Sequence, residues 1–357
     1  MARLIAAVSG GVDSAVATAQ LLQAGHQVTA VHMRLADVSP AAVTDAALVA
    51  DNLGVPFEVW DLSDQFNQQV LNYFASEYSA GRTPNPCVMC NRTIKFGALL
   101  QRALTAGFDG VATGHYARLT KSSAGVTELH RAADLPKDQS YVLSMLRQDE
   151  LSRVWLPLGG LTKQEVRALA SVMELPVASR QESMDLCFIE DGDTTAWLAS
   201  RLGVHHGQIV DEAGVALGEH DGTYRFTIGQ RKGLNLRQPA SDGQPRFVLG
   251  IDAAKQQVVV GPRAHLAVES MVTGQAVWTS GVAASGPLEV SVQVRAHGVG
   301  YPGVVTPLPD GSTRIDLDET IPGVAPGQTA AFYVGDQVVG SSTITQTERA
   351  WRSAQGT

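Results

Sequence analysis

The sequence contains no run of eighteen apolar residues, so no segment reads as a transmembrane helix. Its opening, MARLIAAVSGG, has too short an apolar stretch for a secretory signal and runs directly into a motif, which makes a cytosolic protein the expectation. Cysteine is scarce, with three in 357 residues. Three thiols in a cytosolic chain are no disulfide framework; they are candidates for catalysis or metal binding. Charged residues make up only 17%, and the net charge of -8 argues against an affinity for nucleic acid spread over the whole surface, while leaving room for a local basic patch. The lysine-bearing loop G-x-x-x-x-G-K-[ST] is absent, and so is G-x-G-x-x-G, which argues against a kinase-like transferase and against a dehydrogenase. No internal repeat or low-complexity tract is present. What remains is a chain with 44% hydrophobic residues, long enough for two or three domains with their own cores.

Short apolar runs alternate with helical stretches in the first half. Residues 4–8 read as a buried strand, Ala15 to Gln23 as a helix stopped by Gly25, and His26 to Met33 as the next strand. Thr44 to Leu53 reads as a second helix, Pro56 to Trp60 as a third strand, and residues 108–114 as a strand entering a turn. This alternation predicts an α/β domain with a parallel sheet, whose ligands bind at the carboxyl ends of the strands. Near residue 200 the character changes to short strands with frequent glycine. Val258–Val260, Glu289–Val294, Arg314–Leu317 and Ala330–Val334 read as strands of a small barrel or sandwich. The expected divisions are 1–197, 198–266 and 267–357.

Between the first strand and helix stands Ser9-Gly10-Gly11-Val12-Asp13-Ser14. Such a turn aims backbone N–H groups and the positive end of a helix dipole at an anion. Gly10 and Gly11 admit a phosphate close to the backbone, Ser9 and Ser14 add hydroxyls, and Asp13 suits Mg²⁺ held against phosphates. The pattern is similar to the loop of PP-loop pyrophosphatases, which adenylate a carbonyl oxygen with ATP.

Thr83-Pro84-Asn85-Pro86-Cys87-Val88-Met89-Cys90-Asn91 reads as a stiff loop, because two prolines make it a poor helix or strand. Residues 79–108 carry Arg82, Arg92, Lys95 and Arg102; positive charge of this kind lowers a thiol pKa and attracts RNA phosphates. Cys187 lies among Glu182, Asp185, Glu190 and Asp191, and by its residues alone it reads as a buried core thiol. His115, in Ala112-Thr-Gly-His-Tyr-Ala-Arg118, is equally a buried structural histidine or a ligand-facing one. Lys137-Asp138-Gln139-Ser140-Tyr141 mixes groups suited to phosphate and base edges, or is simply a helix start capped by Asp138. Residues 225–237 hold four cations and no acid: a surface for an RNA backbone, or a solvated loop.

Taken in order, SGGVDS, TPNPCVMCN with IKFG, ATGHYAR, KDQSY, MDLCFI, IGQRKGL and PGQTAAFY resemble the bacterial tRNA-specific 2-thiouridylases over most of the chain. That resemblance implies a PP-loop domain of the adenine nucleotide α-hydrolase-like type, a small central domain and a C-terminal β-barrel. It implies ATP-dependent thiolation of carbon 2 of the wobble uridine of tRNA, with Cys187 carrying a persulfide and Cys90 as the second catalytic cysteine. It places ATP contacts on Ala7, Val8, Ser9, Gly10, Gly11, Val12, Asp13, Ser14, Met33 and Gly114. Target-base contacts fall on Asn85, Pro86 and Cys87, and tRNA contacts on His115, Lys137, Asp138, Gln139, Arg295, Ala296 and Gln328. The implied partners are tRNA and a persulfide relay protein or cysteine desulfurase, with no membrane, and the chain is compatible with a monomer. The family commonly has aspartate where this chain has Cys87, and Ala296 is smaller than a base contact would suggest. With Cys87, Cys90 and Cys187 together, an iron–sulfur cluster is an alternative to the persulfide. Two rivals remain: a PP-loop ligase acting on a small molecule, which leaves the cysteines unexplained, and a non-catalytic RNA-binding protein, against which the intact SGGVDS argues.

Overall fold

The computed structural model describes residues 1–35, 40–178, 180, 186–189, 192–236 and 243–349. Glu182 to Asp185, Glu190, Asp191 and Arg237, which figured in the sequence reading, lie outside the described residues.

Strands β1 (Arg3–Ala7), β2 (Gln27–Arg34), β3 (Phe57–Asp61) and β4 (Gly110–Ala112) belong to one parallel sheet. A hairpin, β5 (Arg118–Lys121) and β6 (Thr127–His130), precedes β7 (Val154–Trp155), which completes that sheet in the order β3-β2-β1-β4-β7. The centre of β1, Leu4 to Ala6, is buried because it is covered on both faces. Leu4 and Ala6 pack with Leu21 of helix α1 (Val12–Gln23), while Ile5 packs with Phe66 and Val88. That is why its sequence is an unbroken apolar run rather than an alternation. The chain leaves β1 toward β2 on one side and later returns as β4 on the other, so the crevice between the loops after β1 and β4 is the topological switch point.

The β5–β6 hairpin does not join the parallel sheet. It pairs with the C-terminal strands, His130 opposite Gln337 and Leu129 opposite Val338. No periodicity distinguishes this destination, because a hairpin with one apolar face is satisfied by either sheet.

Next comes a four-stranded sheet, β8 (Gly207–Val210), β9 (Ala216–His220), β10 (Phe247–Asp252) and β11 (Gln257–Gly261), around Ile209, Phe226, Val248, Val258 and Val260. The remaining strands are β12 (Ala267–Thr273), β13 (Val277–Trp278), β14 (Leu288–Gln293), β15 (Tyr301–Pro307), β16 (Thr313–Pro322), β17 (Thr329–Val334) and β18 (Gln337–Arg349). β12 pairs with both β16 and β18, which closes β12-β16-β15-β14-β17-β18 into a six-stranded barrel and removes its open edges. Ala331, Tyr333 and Val338 of the barrel belong to the same buried cluster as Tyr141, Leu143 and Ile5, so barrel and parallel-sheet domain share a core. Among the described residues no helix is long and apolar enough to cross a membrane.

Candidate active site

Helix α1 begins at Val12, earlier than its apolar periodicity suggests, because the glycine motif forms its first turn. Gly11 is the N-cap and contributes no side-chain cap. The first backbone N–H groups therefore remain available to an anion. Gly10 has φ +77, and a Cβ there would lie 2.7 Å from Asp45 Cβ. Across the crevice, a Cβ on Gly114 would come 2.7 Å from the Asp13 carbonyl carbon. Only glycine lets the loop after β4 approach the start of α1 so closely. The Ser14 hydroxyl donates to the Gly11 carbonyl at 3.0 Å and accepts from the Ser9 amide at 3.2 Å, which fixes the turn.

Asp13 is held by residues that the sequence reading did not single out. Lys163 Nζ donates to both its carboxylate oxygens, at 2.6 and 2.8 Å, and the Tyr116 hydroxyl donates at 2.8 Å. Lys163 opens the helix Lys163–Val172, whose capping box is formed by Thr162 and Glu165. The glycine loop carries no lysine of its own, and this one reaches Asp13 from a distant segment. Its only local signal is T-x-x-E, which marks a helix start but gives no role to the residue between. Arg180 was also missed: its Nη1 donates to the Gly10 carbonyl at 2.9 Å and pairs with Asp45. Met33, at the end of β2, packs against the main core.

The segment around Cys87 and Cys90 corrects the expectation of a stiff loop. Pro86–Cys90 is helical and continues into a wide π-helical stretch, Asn91–Leu99. Proline suits a first helical turn, where its missing N–H has no partner to lose. Asn85 is the N-cap, its Oδ1 accepting from the Val88 amide at 3.1 Å. Thr83 donates its amide to the Pro326 carbonyl at 2.8 Å, docking the segment on the barrel turn that carries Gln328. Gln328 is half-buried, and its Oε1 is buried with no partner.

Cys90 is buried, at 8% exposure, and packs with Val88 and Ile94. The positive charge of this region was expected to lower its pKa. Instead burial dominates and pushes the Cys90 thiol up to about 11, with Lys95 opposing and the neighbouring Cys187 and Cys87 adding to the rise. Cys87 is exposed as a residue, yet the atoms around its sulfur desolvate it enough to push its thiol up as well, again against Lys95. A buried thiol loses water around its charged form, and that loss exceeds what one half-exposed ammonium returns. Alkylation of Cys90 in the free protein is therefore expected to be slow at neutral pH and to rise about tenfold per pH unit toward 11. Mass-spectrometric mapping of modified cysteines across a pH series checks this; rapid Cys90 labelling at pH 7 would contradict it.

Cys187 is exposed, not the buried core thiol that its surroundings suggested. Its neighbours explain this. Leu186 and Phe188 both pack into the cluster of Phe74, Leu198 and Tyr224. The Phe188 ring lies 5.4 Å from Trp197, 5.6 Å from Phe74 and 5.9 Å from Phe66. With residues on either side anchored inward, the thiol between them is left at the surface. All three cysteines are free thiols. Among the described residues no group of three or more His, Cys, Asp or Glu side chains is arranged to hold a metal, so the three cysteines as placed do not fit an iron–sulfur cluster. The carboxylate of Asp13, which would hold Mg²⁺, is bridged by Lys163, and that of Asp45, beside Gly10, is paired with Arg180.

His115 is buried, its Nδ1 2.6 Å from the Thr113 hydroxyl. Burial first, and Lys95 second, hold its pKa well below the ordinary histidine value, so it is a neutral ring. Lys95 therefore acts on Cys87, Cys90 and His115 together, and His115 follows the Gly114 that touches α1. The thiols and the phosphate loop are two sides of one region.

Of the residues assigned to tRNA, Lys137 is half-buried, while Gln139, Arg295, Arg231 and Lys232 are exposed. Gln139 also accepts the Tyr116 amide through Oε1 at 2.9 Å. Asp138 is turned inward: its side chain is 6% exposed and accepts from Arg131, the Ala132 amide and Ser140. It stands one residue before the N-cap, Gln139, of the helix Ser140–Leu143. Ala296 packs against the shared core.

Three family models match the chain in succession: a tRNA methyl transferase HUP domain over residues 2–191, a tRNA methyl transferase PRC-barrel domain over 195–262 and an aminomethyltransferase beta-barrel domain over 268–344. The tRNA-specific 2-thiouridylase MnmA of Cutibacterium acnes is 49% identical over 99% of this chain and 99% of its own length. Those of Kineococcus radiotolerans and Streptomyces coelicolor are 51% and 48% identical, over 97% and 99% of this chain and 99% and 97% of their own lengths. Identity at this level along the full length, joined to a glycine loop at the sheet's switch point and paired thiols beside it, places the chain in the tRNA-specific 2-thiouridylase family.

Proposed function

We propose that this chain is a cytoplasmic, ATP-dependent sulfurtransferase that converts a uridine of tRNA, the wobble uridine, into 2-thiouridine. The observation that carries the reading is the packing of the Cys187 segment, through Phe188, against the core that holds Cys90, in a domain whose glycine loop has its aspartate clamped by Lys163. ATP lies over residues 7–14, with Met33 and Gly114 lining its site, and Mg²⁺ accompanies the phosphates. Asn85, Pro86 and Cys87 face the target base. The C2 oxygen attacks the α-phosphorus, pyrophosphate leaves, and the base becomes an adenylate whose later leaving group is AMP. A relay protein or cysteine desulfurase loads a persulfide on exposed Cys187. Its terminal sulfur attacks C2, expelling AMP. The Cys90 thiolate then attacks the Cys187 sulfur and breaks the S–S bond, which frees the thiolated base and leaves a Cys90–Cys187 disulfide for an external thiol to reduce. Because Cys90 is buried and protonated in the free protein, this step requires tRNA binding to expose it. Cys87, where relatives commonly carry aspartate, is a weaker acid–base group with its raised thiol pKa.

The test is reconstitution. Protein purified without oxygen, assayed for iron and sulfide, is given ATP, unmodified tRNA and a persulfide donor, and the nucleosides are analysed by mass spectrometry. Iron-free protein that forms 2-thiouridine supports the persulfide scheme. Activity that tracks iron content replaces it with a cluster on Cys87, Cys90 and Cys187. ATP–pyrophosphate exchange that ignores tRNA returns the reading to a small-molecule ligase.

A further inference from the structure

The proposed RNA-facing groups come from all three parts of the chain: the Lys137–Gln139 turn, the barrel loop at Arg295 and Ala296, and the basic segment around Arg231. A run of part-buried contacts joins them. Asp138 Oδ2 accepts from Arg131 Nη1 at 2.9 Å, and Arg131 Nη2 donates to Gln293 Oε1 at 2.8 Å. The Arg131 guanidinium lies over the Tyr333 ring, 3.7 Å from its centre, and the Tyr333 hydroxyl reaches Ser140 at 3.1 Å. Gln293 is 2% exposed and uses both ends of its amide. Its Nε2 donates to the carbonyls of Arg295, at 2.9 Å, and Ala296, at 3.1 Å. Arg295 Nη2 then donates to the Gly323 carbonyl at 2.6 Å, and Gly323 lies against Gly229 of the basic segment.

From this geometry we infer that Gln293 and Arg131 are positioning residues that set the barrel loop at Arg295 and Ala296 in register with the Lys137–Gln139 turn, so that one tRNA meets both. The inference rests on the proposed RNA-facing role of those two elements. A half-buried arginine that forks between two acceptors while stacked on an aromatic ring has few alternative rotamers. An amide that accepts at one end and donates twice at the other has no isostere with the same polarity. Asp138 accordingly serves the RNA surface from behind, as the acceptor that fixes Arg131, rather than by touching RNA.

Gln293→Glu separates register from mere stability. Glutamate keeps the shape and an oxygen for Arg131, but it turns a donor into an acceptor facing two carbonyls. In tRNA-stimulated pyrophosphate release, the KM for tRNA is expected to rise about tenfold, while the KM for ATP and kcat at saturating tRNA stay within about twofold. Gln293→Leu raises the tRNA KM alike. A Gln293→Glu protein with an unchanged tRNA KM overturns the inference, and so does one in which kcat and ATP binding fall along with it, the mark of general unfolding. Arg295→Ala distinguishes the two levels of the argument. If it weakens tRNA binding while Gln293→Glu does not, only the positioning role fails; if Arg295→Ala and Lys137→Ala both bind tRNA normally, the RNA-facing assignment fails and the inference with it.

Discussion

Cys90→Ser and Cys187→Ser proteins will each release pyrophosphate from ATP in the presence of tRNA within about threefold of the unaltered rate, and each will lose at least about 10³-fold in 2-thiouridine formation. The two halves of this result have separate causes. In the proposed scheme adenylation rests on the backbone of Gly10 and Gly11 and on Asp13 with Lys163, which belong to segments other than those of the two thiols. Sulfur transfer requires a sulfur–sulfur bond to form and break, which a hydroxyl cannot do. Neither substitution threatens the fold. Serine is close to cysteine in volume, Cys187 is exposed, and the aromatic anchoring of its segment runs through Phe188. Cys90 is buried among Val88 and Ile94, so its serine variant should be checked by thermal melting, with a modest loss expected from a desolvated hydroxyl. Thiolation retained in either variant would remove that residue from the chemistry, and loss of pyrophosphate release in both would mean that the thiols serve activation instead.

The second large effect belongs to the clamp on Asp13. Asp13→Ala and Lys163→Met are each expected to slow tRNA-stimulated pyrophosphate release by about 10²–10³-fold, with tRNA affinity within about twofold. The Asp13 carboxylate sits at the first turn of α1, where the helix dipole favours an anion, and the Lys163 ammonium at 2.6 Å balances it. In the proposed scheme that ammonium and Arg180, which donates to the Gly10 carbonyl, are the positive charges at the phosphate loop, and Lys163 is held there by a capped helix rather than by the loop itself. Removing Lys163 leaves the carboxylate with the Tyr116 hydroxyl but without a balancing charge; removing Asp13 takes from Lys163, only 12% exposed, the two oxygens that fix its ammonium. Lys163→Arg tests charge against geometry, since the forked guanidinium cannot fill the compact position of the ammonium. Pyrophosphate release within about threefold of normal in Lys163→Met would reduce the pair to a structural ion pair.

Much of the parallel-sheet half was legible in the sequence because buried parallel strands and their helices leave local signatures. Leu4 to Val8 and Val111 to Ala112 are apolar runs that lead into glycine turns, β2 is a largely apolar strand interrupted by His32, and Gly10 and Gly114 stand where a side chain would strike the neighbouring loop. The cysteine motifs were equally visible as motifs. Their environment was not. Thiol acidity depends on the difference between lost hydration and nearby charge, and both are set by packing. The basic composition around Cys90 pointed toward a lowered pKa, yet Val88 and Ile94 exclude the water that a thiolate needs. A lone cysteine such as Cys187 reads as a core thiol, because free cysteine is usually buried, yet its two neighbours took the core and left it outside. Pro84 and Pro86 argued against a helix because a proline's effect depends on its position within one, and Pro86 stands at the first turn, where it is tolerated.

By itself, then, the sequence determined the nucleotide loop, the order of the motifs and the family, since each of these is written in contiguous residues whose types follow from backbone sterics and local hydrogen bonding. The tertiary structure alone decided which distant groups complete them: Lys163 and Tyr116 on Asp13, Arg180 on Gly10, the β5–β6 hairpin on the barrel, and Arg131 between Asp138 and Gln293. The physical reason is that a polar side chain needs only some partner of opposite character. Many residues of the chain would serve, and it is the packing of the shared core that brings one of them within three ångströms and leaves the others in solvent.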